Sequence, residues 1–268
     1  MGEVRLESVW VDYRPRRRSR RHHPRVWALK DVSLALYPGE RLGVIGGNGS
    51  GKTTLLRTIS GVFVPTAGRA EFNGRAASVI DLSTGPQRDL SGHENLEIEA
   101  RLLGLDREEL DARYEDILDL AAIPTEALDQ PVYTYSNGML LRLFLGLAIG
   151  CEPDLLVIDE VLAVADARFQ ARFLDRIEVL CRGGTTLVLA SHNLEAITRN
   201  TDRAVVLDRG EIVLAGPSEQ AVARYRQAVA GLESPPAGSG DLTPAEQGPS
   251  PDAVGATLSE RLARAAVE

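Results

Sequence analysis

The sequence predicts an α/β fold built around a largely parallel sheet. In the second half of the chain, short apolar segments alternate with helical segments, as expected for a parallel sheet whose faces are covered by helices. Near residue 45, an apolar segment enters a glycine-rich loop that leads into a helix. Near residue 158, another apolar segment ends in two acidic residues. Because ligands bind at the carboxyl ends of strands in such sheets, both segments indicate a binding site at one sheet edge.

Each further element follows from its apolar spacing and from the residues that end it. Alternating apolar residues predict strands, apolar residues three or four apart predict helices, and glycine or proline ends them. Pro38 ends the second strand, Gly61 ends the first helix, and Gly104 breaks the long helical segment. In chain order, we expect strands at 4–11, 28–37, 41–45, 69–72, 77–82, 155–158, 185–190, 203–207 and 211–214. We expect helices at 53–61, at 94–122, after Gly138 in LLRLFLGLAIG, and at 167–181, 194–200 and 219–230.

The composition is that of a folded domain with a polar tail. We expect one domain over 1–230, with a basic insertion at 14–25 and a helical subdomain at about 90–150. Residues 231–268 are rich in Pro, Gly, Ser and acid, and such a segment buries too little apolar surface to offset chain entropy, so we expect disorder. The last twelve residues, TLSERLARAAVE, have the capping and spacing of a short terminal helix.

Composition also excludes several classes of protein. No apolar run reaches the roughly 18 to 20 residues of a membrane span, and the first ten residues lack the apolar core of a signal peptide. We therefore expect a cytoplasmic chain. Cys151 and Cys181 have no CxxC or histidine spacing, which indicates ordinary reduced thiols. The net charge of -8 argues against general nucleic-acid affinity.

The glycine-rich loop predicts a phosphate-binding site. It fits G-x-x-x-x-G-K-[ST] between a buried strand and a helix. Its glycines let the backbone N–H groups turn toward phosphate oxygens, and the helix N-terminus adds partial positive charge. Only two of the 30 basic residues are lysines, and Lys52 supplies the compact ammonium that this position needs. The expected phosphate-binding residues are Gly46, Gly47, Asn48, Gly49, Ser50, Gly51, Lys52, Thr53 and Thr54.

Two acids at the end of LLVIDE complete this chemistry. Asp159 and Glu160 follow an apolar strand, so they emerge at the ligand edge of the sheet. We expect Thr53 and Asp159 to hold Mg²⁺, and Glu160 to polarise an attacking water.

The segment YSNGM predicts a second anion site. Ser136 and Gly138 lie at the head of an apolar helix, where a hydroxyl and unpaired backbone N–H groups can bind a phosphate. The loop at Lys52 and this helix head do not meet within one chain. Two phosphate sites of this kind indicate a dimer.

In this order, the segments GGNGSGKTT, YSNGM, LLVIDE, AVAD and SH resemble those of the ATP-binding cassette ATPases, over roughly residues 4–225. The resemblance implies a P-loop NTPase cassette: a mixed, mainly parallel core sheet with antiparallel N-terminal strands and a helical subdomain. It implies a homodimer that binds ATP with Mg²⁺, in which Ser136 and Gly138 face the γ-phosphate of the partner's nucleotide. His192 matches the histidine that contacts the γ-phosphate, and Asp166 ends the loop at the dimer interface. Lys52, Glu160 and His192 together imply ATP hydrolysis.

Two positions depart from the family pattern. The glutamine that couples the nucleotide to the transport subunit is missing from its usual place; Asp81 lies near that place and Gln87 comes slightly later. The aromatic that stacks on adenine is Tyr13 or Trp27, which flank the basic insertion, and Tyr13 is the preferred candidate.

Other segments are similar to one branch of the family. YSNGM, WALKDVSL, LSGHENL and DEVLAVAD followed by FQ resemble exporters of lipid-linked polysaccharide, such as O-antigen, capsule or teichoic acid. This resemblance implies two copies of a transmembrane permease as partners, and a peripheral location on the cytoplasmic face of the inner membrane. The tail is too short for the glycan-binding sandwich of some members, so we expect cargo recognition in the permease.

Alternatives remain at this point. The arginine-rich segment at 14–25 is interpreted as a contact for anionic lipid or for the pyrophosphate of a lipid-linked substrate, as a nucleic-acid contact, or as a solvated hairpin. The chain itself is interpreted first as a transporter motor. An exporter of another cargo, a cassette ATPase acting on nucleic acid or ribosomes, and a scaffold without hydrolysis are the alternatives, and Glu160 with His192 argues against the last.

Overall fold

The computed structural model describes residues 2–13, 26–80, 85–159 and 167–233. Its strands are β1 (Val4–Tyr13), β2 (Val26–Leu36), β3 (Arg41–Ile45), β4 (Ala67–Phe72), β5 (Ala76–Val79), β6 (Leu155–Asp159), β7 (Thr186–Ala190), β8 (Arg203–Asp208) and β9 (Glu211–Pro217). Its helices are α1 (Lys52–Ile59), α2 (Gly92–Leu102), α3 (Arg107–Ala121), α4 (Thr125–Leu128), α5 (Asn137–Gly150), α6 (Ala167–Arg182), α7 (Leu194–Asn200) and α8 (Ser218–Glu233).

A six-stranded sheet in the order β5-β6-β7-β3-β8-β9 forms the centre of the described residues. All of its neighbouring strands are parallel except β8 and β9, which form an antiparallel pair. Strands β3, β6 and β7 consist almost entirely of buried apolar residues, as expected for strands covered on both faces. Their carboxyl ends meet at one edge, where the glycine-rich loop leaves β3.

A smaller antiparallel sheet in the order β2-β1-β4 covers one face. The inward residues of β1 are Val4, Leu6, Val9 and Val11, with a register shift between Leu6 and Val9, and they join a core that includes Leu55 and Leu56 of α1. The opposite face of the large sheet packs against α5, α6 and α8 in a second core. The prediction of a mainly parallel sheet with antiparallel N-terminal strands is confirmed.

The helical part, from α2 to α5, begins with well-capped helices. Ser91 caps α2 and Asp106 caps α3, each in a capping box with a glutamate three residues later. Gly146 and Gly150 of α5 lie against α3, where an added Cβ at Gly146 would be 2.8 Å from the carbonyl oxygen of Ile117. These glycines let α3 and α5 approach closely, which joins the helical part to the sheet through α5.

Several boundaries differ from those expected. Helix α1 begins at Lys52, because Gly51 has a φ of +109° and forms a left-handed N-cap. Strand β9 continues to Pro217, because Pro217 pairs with Arg203. The long helical segment divides near Gly104 as predicted, but the short helix α4 was not predicted, since four residues carry no periodic signal. The insertion at 14–25, part of the loop after β5, and the tail beyond residue 233 lie outside the described residues.

Both cysteines are free and buried. Burial raises the pKa of Cys151 to about 12 and that of Cys181 to about 11, so both are uncharged at neutral pH. No helix in the described ranges has both the length and the hydropathy of a membrane span.

Candidate functional site

The glycine-rich loop connects β3 to α1 and folds with three of its glycines at positive φ. Gly46, Gly49 and Gly51 have φ values of +157°, +75° and +109°, a region that other residues rarely adopt. Gly46 and Gly51 also have no room for a side chain. An added Cβ would lie 2.4 Å from the carbonyl oxygen of Leu207 at Gly46, and 2.6 Å from that of Ala28 at Gly51. The exposed residues 47–49 form the outer part of the loop.

A turn between β8 and β9 supports the back of this loop, and sequence reasoning did not predict it. The Gly210 N–H donates to the Ser50 carbonyl at 2.8 Å, and the Lys30 N–H donates to the Gly210 carbonyl at 2.8 Å. The Ser50 hydroxyl is buried and is the one buried side-chain polar atom in the described ranges that lacks a hydrogen bond. The hydrogen bond from Gly210 thus fixes the backbone at Ser50, while the Ser50 hydroxyl makes no hydrogen bond.

Lys52 lies inside the curve of the loop. Its side chain is 8% exposed, and its Nζ donates to the carbonyl oxygens of Gly46 at 2.9 Å and Gly47 at 3.2 Å. An ammonium has three N–H donors, so these two bonds fix the group and leave one donor. Because burying a positive charge is costly without an anion, the position of Lys52 favours an anionic ligand in this loop.

Thr53 and Asp159 meet at the head of α1. The Thr53 Oγ1 donates to the Asp159 Oδ2 at 2.8 Å. This contact joins the helix after the loop to the end of β6. A hydroxyl and a carboxylate are hard oxygen ligands of the kind that Mg²⁺ prefers when it also contacts phosphates. The pair therefore fits the metal that the sequence predicted.

The sheet register aligns three strand ends here. Ala190 at the end of β7 pairs with Val44 on one side and with Asp159 on the other. His192 follows two residues later and is exposed, so it emerges between the glycine-rich loop and Asp159. Glu160 and Asp166 lie outside the described residues. The structure thus brings Lys52, Thr53, Asp159 and the segment with His192 to one edge.

The two aromatic candidates have different surroundings. The Tyr13 hydroxyl is 2.9 Å from the Thr54 Oγ1 on α1, and the Tyr13 ring packs edge-on against Phe63. The Trp27 ring packs edge-on against Trp10, with 5.2 Å between centroids. Tyr13 is therefore tied directly to the helix that follows the loop.

Ser136 and Gly138 lie at the head of α5, in the helical part. The Ser136 Oγ caps the helix by accepting from the Met139 N–H at 3.1 Å. Ser136 is exposed, and this cap is its only side-chain hydrogen bond to a described residue. The helix head is therefore turned to solvent and is not joined by a bond to the glycine-rich loop of the same chain.

Of the two candidates for the missing glutamine, Asp81 lies outside the described residues. Gln87 is exposed, but its backbone is fixed by Asn95 of α2, whose side chain accepts from the Gln87 N–H and donates to the Gln87 carbonyl. Asn95 is 1% exposed and also donates to the carbonyls of Leu90 and Ser91. Sequence reasoning missed Asn95, because a single asparagine in a helical pattern gives no signal.

Comparison with known proteins agrees with this geometry. The family model described as ABC transporter matches residues 29–163, half of the chain. The chain is 41% identical over 200 residues to the ABC transporter protein AbcA of Aeromonas salmonicida, which covers 75% of this chain and 65% of that protein. It is 38% identical over 203 residues to the O-antigen export system ATP-binding protein RfbB of Klebsiella pneumoniae, with 76% and 82% covered. It is 37% identical over 203 residues to the teichoic acids export ATP-binding protein TagH of Enterococcus faecalis, with 76% and 45% covered.

A solved structure has the same fold. It is the dimeric ATP-binding cassette in a post-hydrolysis state bound to ADP and Pi, with a TM-score of 0.69 and 20% identity over 80% of this chain and 98% of that chain. The chain spans less than two thirds of AbcA and about half of TagH. The family match and the identity to these relatives lead to one conclusion: the chain belongs to the ABC transporter family.

Proposed function

We propose that this chain is the ATP-hydrolysing, nucleotide-binding subunit of a membrane exporter. The observation that carries the proposal is the arrangement at the head of α1. There, the buried Lys52 ammonium donates to the carbonyl oxygens of the glycine-rich loop, and the next residue, Thr53, donates to Asp159 at the end of β6. The loop N–H groups from Gly46 to Thr54 bind the phosphates, and Lys52 contacts the β- and γ-phosphates.

Hydrolysis is assigned to the residues at the ends of β6 and β7. Glu160 follows Asp159 directly and polarises the attacking water, while His192 contacts the γ-phosphate. The register of Ala190 between Val44 and Asp159 supports this assignment, because it brings the chain after β7 between the two other strand ends.

Thr53 and Asp159 are proposed to hold Mg²⁺. When bound, the ion neutralises charge that develops on the phosphate oxygens. The existing bond between the two side chains shows that their oxygens already lie side by side, so little rearrangement is needed to share one ion.

Two copies of the chain are proposed to form each site. Ser136 and Gly138 of one copy face the terminal phosphate bound by the other, because this helix head is exposed and separate from the loop of its own chain. The similar solved cassette is itself dimeric with ADP and Pi bound, which supports this arrangement.

The cargo is proposed to be a lipid-linked polysaccharide, such as O-antigen, capsule or teichoic acid. The relatives named for O-antigen export and teichoic acids export support this cargo. The partners are then two copies of a transmembrane permease, and the chain lies peripherally on the cytoplasmic face of the inner membrane. Binding of ATP closes the cassettes and moves the permease, and product release resets it.

Two further contacts belong to this proposal. Tyr13 stacks on the adenine, which its bond to Thr54 on α1 supports. The segment from Arg14 to Arg25, with seven arginines, contacts anionic lipid, where each arginine near the surface contributes about 1 kcal/mol. No nucleic-acid partner is expected.

The experiment measures phosphate release and membrane association together. The native chain should release phosphate from ATP and co-purify from detergent-solubilised membranes with a multi-span protein. Glu160→Gln should lose turnover by about a thousandfold and still bind ATP. A native chain that binds ATP without releasing phosphate, or that never co-purifies with a membrane protein, would contradict the proposal.

A further inference from the structure

The loop after α1 brings Phe63 against Tyr13, the aromatic candidate at the end of β1. The centroids of the two rings lie 6.0 Å apart, and the ring planes are inclined by 77°. This is an edge-on contact, one of the arrangements that aromatic pairs prefer. Tyr13 has a second contact, because its hydroxyl lies 2.9 Å from the Thr54 Oγ1 on α1. The side chain of Tyr13 is therefore held at two places, its hydroxyl and its ring.

The two contacts restrict the ring in different ways. The hydroxyl oxygen of a tyrosine lies on the axis about which the ring turns, so a hydrogen bond at this oxygen does not fix the plane of the ring. The angle of that rotation is only broadly preferred in side chains of this kind. A second ring packed against the first restricts the rotation, because turning would bring their atoms into collision. Thr54 therefore fixes the position of the Tyr13 hydroxyl, and Phe63 fixes the plane of the Tyr13 ring.

Phe63 is itself fixed by contacts with the last turn of α1 and with the core. Its backbone N–H donates to the Arg57 carbonyl at 2.9 Å. The guanidinium carbon of Arg57 lies over the Phe63 ring, 5.4 Å from its centroid, a distance at which the ring face attracts a cation. Phe63 also packs against the core beneath the smaller sheet. The ring that contacts Tyr13 is therefore held in one place.

Three residues further along, the same loop is bonded to β1. The Thr66 N–H donates to the Trp10 carbonyl at 2.7 Å. The Thr66 hydroxyl donates to the Asp12 carboxylate at 2.8 Å and accepts from the Asp12 N–H at 3.1 Å. The segment from Phe63 to Thr66 is thus bonded to α1 at its first residue and to β1 at its last. It cannot move away from Tyr13 without breaking these bonds.

We propose that Phe63 is a positioning residue for the nucleotide base. It holds the ring of Tyr13 in the orientation that stacks on adenine, and it acts through Tyr13 without touching the nucleotide. The stacking by Tyr13 rests on the proposed function, and the role of Phe63 is the new claim. Stacking needs two flat surfaces that face each other. A Tyr13 ring that turns freely offers the base such a surface for only part of the time, which lowers the affinity for ATP.

The first test compares Phe63→Leu with Phe72→Leu. Phe72 ends β4 and packs against the same core, but it pairs with Val4, at the opposite end of β1 from Tyr13. Phe63→Leu should raise the KM for ATP about threefold and leave kcat unchanged, and Phe72→Leu should change neither. Equal KM values for Phe63→Leu and the native chain, or the same rise in both variants, would overturn the role of Phe63.

A ligand without a base distinguishes positioning of Tyr13 from damage to α1. Inorganic triphosphate keeps the phosphates that the glycine-rich loop is proposed to bind, and it offers nothing on which Tyr13 can stack. The native chain, Phe63→Leu and Phe72→Leu should therefore bind inorganic triphosphate with equal affinity. A weaker affinity of Phe63→Leu for triphosphate would mean that the substitution disturbs the phosphate site itself, and the proposal would be wrong.

A double-mutant cycle shows whether Phe63 acts through Tyr13. Tyr13→Ala alone should raise the KM for ATP about tenfold, and adding Phe63→Leu to it should raise the KM no further. Independent effects of the two changes, which multiply in the double variant, contradict a role exerted through Tyr13. Should Tyr13→Ala leave the KM unchanged, the proposed stacking on adenine fails and this inference fails with it. Should Tyr13→Ala raise the KM and Phe63→Leu leave it unchanged, only the inference fails.

Discussion

The two halves of the candidate site differ in how they are held. In the core half, defined by the loop at 46–54 with Asp159, side chains bond to one another: Lys52 to loop carbonyls, Thr53 to Asp159, and Tyr13 to Thr54. In the helical half, defined by Ser136 and Gly138, the helix head is exposed, and its one side-chain bond caps its own helix. The side chains of the core half are held by bonds within one chain, whereas the helical half presents an exposed helix head, which is the proposed second anion site. This difference is the physical reason to expect a second copy.

The largest loss of turnover is expected from a substitution in the core half. Lys52→Ala removes the buried ammonium that favours phosphate, so turnover should fall by about a hundredfold or more. Lys30→Ala is the matched control, because Lys30 is the other lysine and makes a 3.6 Å ion pair with Glu211. Phosphate release and ATP binding measure both variants. Equal losses in the two variants would mean that the loop lysine has no special role.

A smaller effect is expected in the helical half. Ser136→Ala removes a hydroxyl from the proposed trans contact, so turnover at saturating ATP should fall about tenfold. Ser91→Ala removes the same kind of helix cap from α2, and each change should cost about 1 kcal/mol of stability. If Ser91→Ala lowers turnover as much as Ser136→Ala does, the effect belongs to helix capping and not to phosphate binding.

Tyr13, the aromatic residue beside the core half, should affect the affinity for ATP more than the turnover rate. Tyr13→Ala removes the proposed stacking surface, which should raise the KM for ATP about tenfold. Tyr13→Phe keeps the ring and removes only the bond to Thr54, so its KM should rise only slightly. Trp27→Ala tests the other candidate. A larger KM increase in Trp27→Ala than in Tyr13→Ala would reverse the assignment.

The smallest effect is expected at Ser50, whose hydroxyl is buried without a hydrogen bond. Because Ser50→Ala removes an unsatisfied group, the free energy of unfolding should stay the same or rise by up to about 1 kcal/mol. Phosphate release should not change. Chemical denaturation measures the first quantity, and a clear loss of activity would show that this hydroxyl binds the ligand.

Sequence analysis predicted the parts of the site that depend on residues close together in the chain. The loop, Lys52 and the acid at the end of β6 lie in short segments whose spacing alone indicates their geometry. The bond from Tyr13 to Thr54 and the support of Ser50 by Gly210 join segments far apart in the chain. No local pattern encodes such contacts, because they depend on the register of packed strands. For the same reason, the sequence left Tyr13 and Trp27 open.

The role of the buried Asn95 in the helical part could not be predicted from the sequence either. Asn95 organises the chain from Gln87 to Ser91 through four side-chain bonds. In the sequence it is one polar residue in an amphipathic helix, which is usually exposed.

The most direct test of the composite site mixes two inactive variants. Lys52→Ala disables the loop, and Gly138→Asp places a carboxylate at the head of α5, where an added Cβ is 3.9 Å from the Ser136 Oγ and has room. A mixed dimer then holds one site with an intact loop from one copy and an intact helix head from the other. We predict that the mixture releases phosphate at a rate well above that of either variant alone. No recovery, with mixed dimers demonstrated by differently tagged copies, would contradict a site shared between two chains.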